Sequence, residues 1–259
     1  MNNNKYLPML LLAVTAFCTT HASAQLPPPN AKGNTAGHHI FTVSNKTLAD
    51  EFWYALGGKV VEWGVLEMIA FPGAYFYIRE GEHSGGTEGS SVDFLGFRVR
   101  NLEQVLANLL PLGFLPMAGA DDTQAYIMGP DAVKIHLVED SSLATFSATD
   151  EVRIVGPAGT REWYEQYFGS DMTGMRLTFT VSDEPAASTR GRALDRLGIE
   201  VTGLQTNVDA LQGSGSAGPD QVVQGGDNFP DPFAIAVFTA PDGTFIELSE
   251  GLDQIEVPQ

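Results

Sequence analysis

One segment of the chain occurs twice, and this repeat constrains the fold more than any other feature of the sequence. Residues 240–250, Ala-Pro-Asp-Gly-Thr-Phe-Ile-Glu-Leu-Ser-Glu, read as a tight turn that leads into a strand. Residues 129–139, Gly-Pro-Asp-Ala-Val-Lys-Ile-His-Leu-Val-Glu, repeat this unit with His136 in the position of Glu247. The chain is therefore built from copies of one module.

Glu247 stands among apolar residues in the later copy, between Ile246 and Leu248. An unpaired carboxylate buried among apolar side chains is costly. We therefore expect Glu247 to have a partner elsewhere in the fold.

Strands and helices alternate along the chain in four cycles, each with a strand, a helix and then further strands. The predicted opening strands of the four modules start at His38, Val92, Glu151 and Ala193. The third module is trimmed, because only one clear strand, 175–181, follows its helix. The long glycine-rich loop 212–231 of the fourth module is either a mobile lid or a disordered segment.

Residues 1–24 have the pattern of a secretory signal peptide: Lys5, then an apolar run over 7–17, then small residues before Gln25. The apolar run is too short to span a bilayer. We therefore expect a periplasmic or secreted protein with no membrane span. Cys18 is the only cysteine, so the mature chain would have neither a disulfide nor a thiol nucleophile.

The chain is strongly acidic, with 32 Asp and Glu, 14 Lys and Arg and a formal net charge of −18. Nucleic acid is a poor partner for a protein of that charge. The charge itself indicates solubility rather than an acidic recognition surface. Residues 25–37, which include three consecutive prolines, are interpreted as a leader that contributes no core residues.

The module order and three segments resemble the vicinal oxygen chelate superfamily, which includes glyoxalases, bleomycin- and fosfomycin-resistance proteins and extradiol dioxygenases. The segments are the Pro-Asp-Gly motif at 241–243 and residues 91–99 and 191–201. The resemblance covers nearly the whole mature chain and implies an α+β fold. In it, tandem βαβββ modules pair into two open, cupped β-barrel-like halves with helices outside. The expected domains are 38–140 and 150–252, followed by a tail at 253–259.

Metal-dependent members of this superfamily hold a divalent ion with His and Glu on the first and last strands of their modules, leaving coordination positions open for substrate oxygens. By this resemblance the first barrel contributes His38, Phe94, His136 and either Tyr75 or Tyr77. Phe94 cannot ligate a metal, so His38 and His136 would need a water or carboxylate to complete the set. His39 points to the opposite strand face and is the weaker candidate.

In the second barrel, the corresponding positions are Glu151, Arg196 and Glu247. Arginine stays cationic, so a guanidinium in a metal position is an electrostatic substitute for the metal. We therefore expect these three residues to form an ion-paired cluster without a metal. The cluster either grips a polar ligand, uses one Glu as a catalytic base, or is a structural salt bridge.

Three functions stay open. The first is an exported, metal-independent protein that binds a small organic molecule in a barrel cavity through Tyr75, Tyr77 and Phe94. The second is an enzyme: a lyase, isomerase or dioxygenase whose divalent metal is held by His38 and His136, or a proton-transfer catalyst using Glu247 or Glu151. The third is an interaction scaffold. The cofactor is accordingly none or a single divalent metal ion, and the sequence is compatible with a monomer or a homodimer.

Overall fold

The computed structural model describes residues 26–117, 121–218 and 222–257, so the predicted signal peptide lies outside the described residues. The helices of the described chain are α1 (Lys46–Ala55), α2 (Leu102–Leu109), α3 (Thr160–Phe168) and α4 (Leu204–Leu211). None of them is long and apolar enough to cross a membrane.

The strands follow the predicted cycles. β1 (Asn34–Ala36) precedes the first module, which contains β2 (His38–Val43), β3 (Lys59–Trp63), β4 (Leu66–Phe71) and β5 (Ala74–Glu80). The second and third contain β6 (Val92–Val99), β7 (Gln124–Met128), β8 (Lys134–Glu139), β9 (Ser147–Gly156) and β10 (Arg176–Val181). The fourth contains β11 (Leu194–Val201), β12 (Val223–Gln224), β13 (Ala234–Thr239) and β14 (Phe245–Glu250).

These strands form two sheets, and the α+β fold predicted from the sequence is confirmed. The nine-stranded sheet has the order β12-β13-β14-β11-β2-β5-β4-β3, with β1 paired to β11. The five-stranded sheet has the order β10-β9-β6-β8-β7. The first module therefore shares a sheet with the fourth, and the second shares a sheet with the third.

This pairing corrects one expectation. We expected neighbouring modules to share a barrel, the first with the second in residues 38–140 and the third with the fourth in 150–252. Instead, β2 pairs antiparallel with β11, and β6 pairs antiparallel with β9. Hydrophobic periodicity locates a strand but carries no information about which distant strand its edge meets. Each sheet therefore draws on both predicted domains.

The segment before the first module is also part of the fold. Residues 25–37 were expected to contribute no core residues, but β1 pairs antiparallel with β11 and all three of its residues are buried. Leu26 packs against the small apolar cluster around Tyr75. The expectation was wrong because short polar residues such as Asn34 and Thr35 can form a buried strand when a neighbouring edge satisfies their backbone groups.

The main core lies between the two sheets and the helices. Asn45 caps α1 by accepting a hydrogen bond from the backbone N–H of Leu48. The helix then buries Phe52 and Trp53, and the Trp53 ring packs edge-on against Phe76 of β5 with centroids 4.8 Å apart. Such aromatic contacts contribute about 0.5–1.5 kcal/mol each beyond the area that they bury.

A second, smaller apolar cluster lies on the opposite face of the nine-stranded sheet and includes Trp63, Tyr75 and Phe233. Tyr77 packs against this cluster, whereas Phe76 belongs to the main core. The alternation predicted for β5, with Tyr75 and Tyr77 on one face and Phe76 on the other, is therefore confirmed.

Candidate functional site

His38, Arg196 and Glu247 form a cluster on neighbouring strands of the nine-stranded sheet, here called the buried cluster. Nε2 of His38 lies 2.6 Å from Oε1 of Glu247, and Arg196 Nη1 donates to Glu247 Oε2. Because a carboxylate only accepts hydrogen bonds, Nε2 of His38 carries the proton. Both oxygens of Glu247 are thus engaged by β2 and β11.

In the buried cluster, His38 and Arg196 stabilise the ionised form of Glu247. Burial would raise the pKa of Glu247, but the neighbouring His38 and Arg196 hold that pKa below its usual value. Within the described residues, Nδ1 of His38 has no hydrogen-bond partner. Next to it on β5, burial and then the nearby Glu200 raise the pKa of Tyr75 to about 12, so its hydroxyl stays protonated.

The prediction that Glu247 has a partner, and that Arg196 pairs with it, is confirmed. The prediction that Glu151 joins them is wrong. Glu151 lies on β9 of the five-stranded sheet, where its oxygens accept hydrogen bonds from Arg153 and Arg176. Its place in the cluster is taken by His38, because β2 rather than β9 lies beside β11.

The metal pair predicted from His38 and His136 is not formed. His38 lies on β2 of the nine-stranded sheet, and His136 lies on β8 of the five-stranded sheet. The ring of His136 instead stacks on Tyr126. His39 lies on the strand face opposite His38, as predicted, and its ring packs against Phe76 of the main core with centroids 5.5 Å apart.

The five-stranded sheet has a second cluster on the face turned away from the main core, here called the open face. Its residues are Phe94, Tyr126, Lys134, His136, Glu151 and Arg153. Tyr126 and His136 are cross-strand neighbours on β7 and β8, and their rings stack with centroids 4.3 Å apart and an interplanar angle of 12°. Both rings meet Phe94 nearly edge-on at 5.5 and 5.3 Å.

Two cations lie over these rings. Nζ of Lys134 is 5.0 Å from the centroid of Tyr126 and 5.8 Å from that of Phe94. The guanidinium carbon of Arg153 is 5.2 Å from the centroid of Phe94. At these distances a cation is attracted by the negative face of the ring, by about 0.5–1 kcal/mol at an exposed position.

Glu151 anchors the other side of the open face. Arg153 Nη2 and Arg176 Nη2 each lie 3.0 Å from one of its oxygens, and Thr178 donates a hydrogen bond to it. Burial would raise the pKa of Glu151, but these donors hold it below its usual value. Burial lowers the pKa of His136, so its ring is neutral at pH 7.

The two clusters differ in exposure. In the buried cluster the side chains of His38 and Glu247 are 6% and 4% exposed and that of Arg196 is 24% exposed. On the open face those of Lys134 and Arg153 are 26% and 33% exposed and that of Glu151 is 7% exposed. The open face therefore presents two cations to solvent, and the buried cluster presents one. A molecule arriving from solvent meets aromatic rings and cationic donors on the open face without any change of backbone.

Comparison with known proteins gives the fold. No family model and no curated relative matches the sequence. Glyoxalase I from Zea mays matches in structure with a TM-score of 0.62 at 13% identity, over 85% of this chain and 93% of that chain. The chain has the vicinal oxygen chelate fold. A Bacillus subtilis protein provisionally assigned as a dioxygenase matches it with a TM-score of 0.57 at 13% identity, over 85% of this chain and 87% of that chain.

Because some members of the vicinal oxygen chelate superfamily depend on a divalent metal ion, such an ion is the first group to consider for either cluster. In the buried cluster both oxygens of Glu247 are taken by His38 and Arg196, and a guanidinium cannot ligate a metal. On the open face Glu151 is likewise held by two guanidinium groups. Within the described residues, no group of three or more His, Cys, Asp or Glu is placed to hold a metal. The residues of neither cluster fit the ion.

Several open-face residues were missed from the sequence. Phe94, His136 and Glu151 were predicted as site residues, but Lys134, Tyr126 and Arg153 were not. A signal for Lys134 was present, because it stands two residues before His136 on one strand and therefore shares its face. Arg153 carried the same signal, because it stands two residues after Glu151 on β9. Tyr126 reaches the site through cross-strand pairing with His136, which the sequence does not reveal.

Proposed function

We propose that this protein binds a small organic molecule on the open face of its five-stranded sheet, and does so without a metal ion. The observation that carries the proposal is a group of two partly exposed rings, Tyr126 and His136, and two partly exposed cations, Lys134 and Arg153, packed around the buried ring of Phe94. Binding sites for small molecules combine apolar and aromatic walls with a few fixed polar groups.

The buried cluster has a different role in this proposal. Arg196 supplies the positive charge beside Glu247 that a metal ion supplies in metal-dependent members of the superfamily. With both oxygens of Glu247 engaged and its side chain almost fully buried, the cluster holds β2, β11 and β14 together rather than receiving a ligand. Ligand binding therefore falls to the other sheet.

The test is a ligand screen in the presence of a chelator. Thermal unfolding of the mature protein is measured with benzoate, benzamide and catechol, which are small planar probes. A probe at about 100 times its dissociation constant raises the free energy of unfolding by about 2.7 kcal/mol. We expect at least one probe to stabilise the wild type and the Tyr54→Ala variant, which removes an exposed tyrosine of α1.

Tyr126→Ala removes the ring that stacks on His136 and is expected to lose this stabilisation. Equal stabilisation of the Tyr126→Ala variant would place the ligand elsewhere. No stabilisation of the wild type by any probe would contradict the proposal.

We also propose that the mature protein is periplasmic or secreted and begins at Gln25. The pattern of residues 1–24 supports this. Amino-terminal sequencing of the protein recovered from cell fractions tests it, and an uncleaved chain in the cytoplasm would contradict it.

A further inference from the structure

The residues of the open face favour one chemical class of ligand, and this inference rests on the proposed function. We infer that its ligand is a small organic carboxylate, held by Lys134 and Arg153 where both cations lie over the ring of Phe94. The ammonium and guanidinium groups come from β8 and β9, on either side of the strand that bears Phe94. Nζ of Lys134 and the guanidinium carbon of Arg153 lie 5.8 and 5.2 Å from the centroid of that ring, and both groups can donate charge-assisted hydrogen bonds to a carboxylate.

Both cations keep donor capacity after their contacts within the protein are satisfied. Nζ of Lys134 contacts the oxygens of Asp93 at 3.2 and 3.3 Å, and an ammonium has three N–H groups. Arg153 uses Nε and Nη2 for Glu151 and Thr178, while Nη1 makes only a long contact of 3.5 Å with Thr180. At least one N–H of each residue is therefore left to donate to a ligand oxygen.

The local charge is also favourable compared with the rest of the chain. Lys134, Arg153 and Arg176 are matched by three carboxylates: those of Asp93, Asp150 and Glu151. The face is thus neutral overall, although the formal net charge of the chain is −18. At physiological ionic strength charges more than about 8 Å apart are largely screened, so direct contacts with the two cations outweigh repulsion by distant acids.

The organic part of the ligand is defined by the aromatic rings. The Tyr126 and His136 rings form a stacked pair beside the cations, and both remain partly exposed. An apolar body next to the carboxylate would cover their edges. A bare inorganic anion would leave this surface in contact with water, which is why the ligand is expected to be an organic acid.

The test compares benzoate with benzamide, which has the same ring and nearly the same shape but no charge. Calorimetric titration of the mature wild-type protein is expected to give at least about tenfold tighter binding of benzoate, because charge-assisted hydrogen bonds are roughly twice as strong as neutral ones. Raising the salt concentration is expected to weaken binding of benzoate more than that of benzamide.

Lys134→Met keeps most of the side-chain stem and removes the charge. It is expected to weaken benzoate binding about tenfold and to leave benzamide binding unchanged. Lys59→Met, at an exposed position on β3 of the other sheet, is the matched control and is expected to bind benzoate like the wild type.

The outcomes separate this inference from the proposed function. Benzamide binding as tightly as benzoate in the wild type would overturn the carboxylate preference while the proposed function stands, and this comparison needs no variant to fold. Benzoate binding that is unaffected by Lys134→Met in a folded variant would also overturn it. If benzoate, benzamide and catechol all fail to bind, both the carboxylate inference and the proposed function are contradicted.

Discussion

Glu247→Leu is expected to lower the free energy of unfolding by roughly 3–5 kcal/mol, the range for removing one partner of a buried ion pair. Leucine fills a similar volume, so the loss does not come from a cavity. It arises because His38 and Arg196 each lose the Glu247 oxygen that accepts their hydrogen bond. Urea denaturation of the mature variant, followed by circular dichroism, measures the change.

Two companion variants make this result specific. Glu162→Leu removes an exposed carboxylate from α3 and is expected to change stability by less than about 0.5 kcal/mol. Arg196→Met combined with Glu247→Leu removes both charges and is expected to be more stable than Glu247→Leu alone. A single variant within about 1 kcal/mol of the wild type, or a double variant less stable than the single, would show that the cluster does not stabilise the sheet as described.

His39 is expected to make the protein lose stability as the pH falls from about 6.5 towards 3. Burial, and then the proximity of His38, lower the pKa of His39 from its usual 6.5 to about 3. Between these values the unfolded chain binds a proton that the folded chain does not, so acid favours unfolding. The loss attributable to His39 approaches about 1.4 kcal/mol per pH unit well below pH 6.5.

The measurement is the free energy of unfolding of the wild type and His39→Asn at several pH values. Nδ1 of His39 accepts a hydrogen bond from the backbone N–H of Gly198, and the amide oxygen of asparagine can replace that acceptor. The variant loses the contact with Phe76 at every pH but has no proton to gain. The difference in free energy of unfolding between the wild type and the variant is therefore expected to shrink as the pH falls. The other titrating groups are common to both proteins and cancel in this difference. Parallel curves would contradict this account of His39.

Local features of the fold could be predicted from the sequence because they depend on neighbouring residues. Strand alternation correctly separated His38 from His39, and Tyr75 and Tyr77 from Phe76. The apolar surroundings of Glu247 correctly indicated that it has a partner. Each of these inferences needed only a few consecutive residues.

The composition of the clusters could not be predicted, because it depends on which distant strands meet. His38 and Glu247 are separated by 209 positions in the sequence, and they meet only because the first module shares a sheet with the fourth. The assumption that neighbouring modules pair therefore placed Glu151 beside Glu247 and His38 beside His136. Each of the four residues lies in one of the two clusters, but both predicted pairings join residues of different sheets.

The proposed metal-free function requires that neither Glu247 nor Glu151 holds a metal ion, because guanidinium groups already pair with both carboxylates. Elemental analysis of the mature protein tests this most directly, after purification from its native compartment without chelators or a metal-affinity tag. We predict a divalent metal content far below one ion per chain, unchanged in Glu247→Gln. One divalent ion per chain in the wild type, lost in Glu247→Gln, would contradict the account.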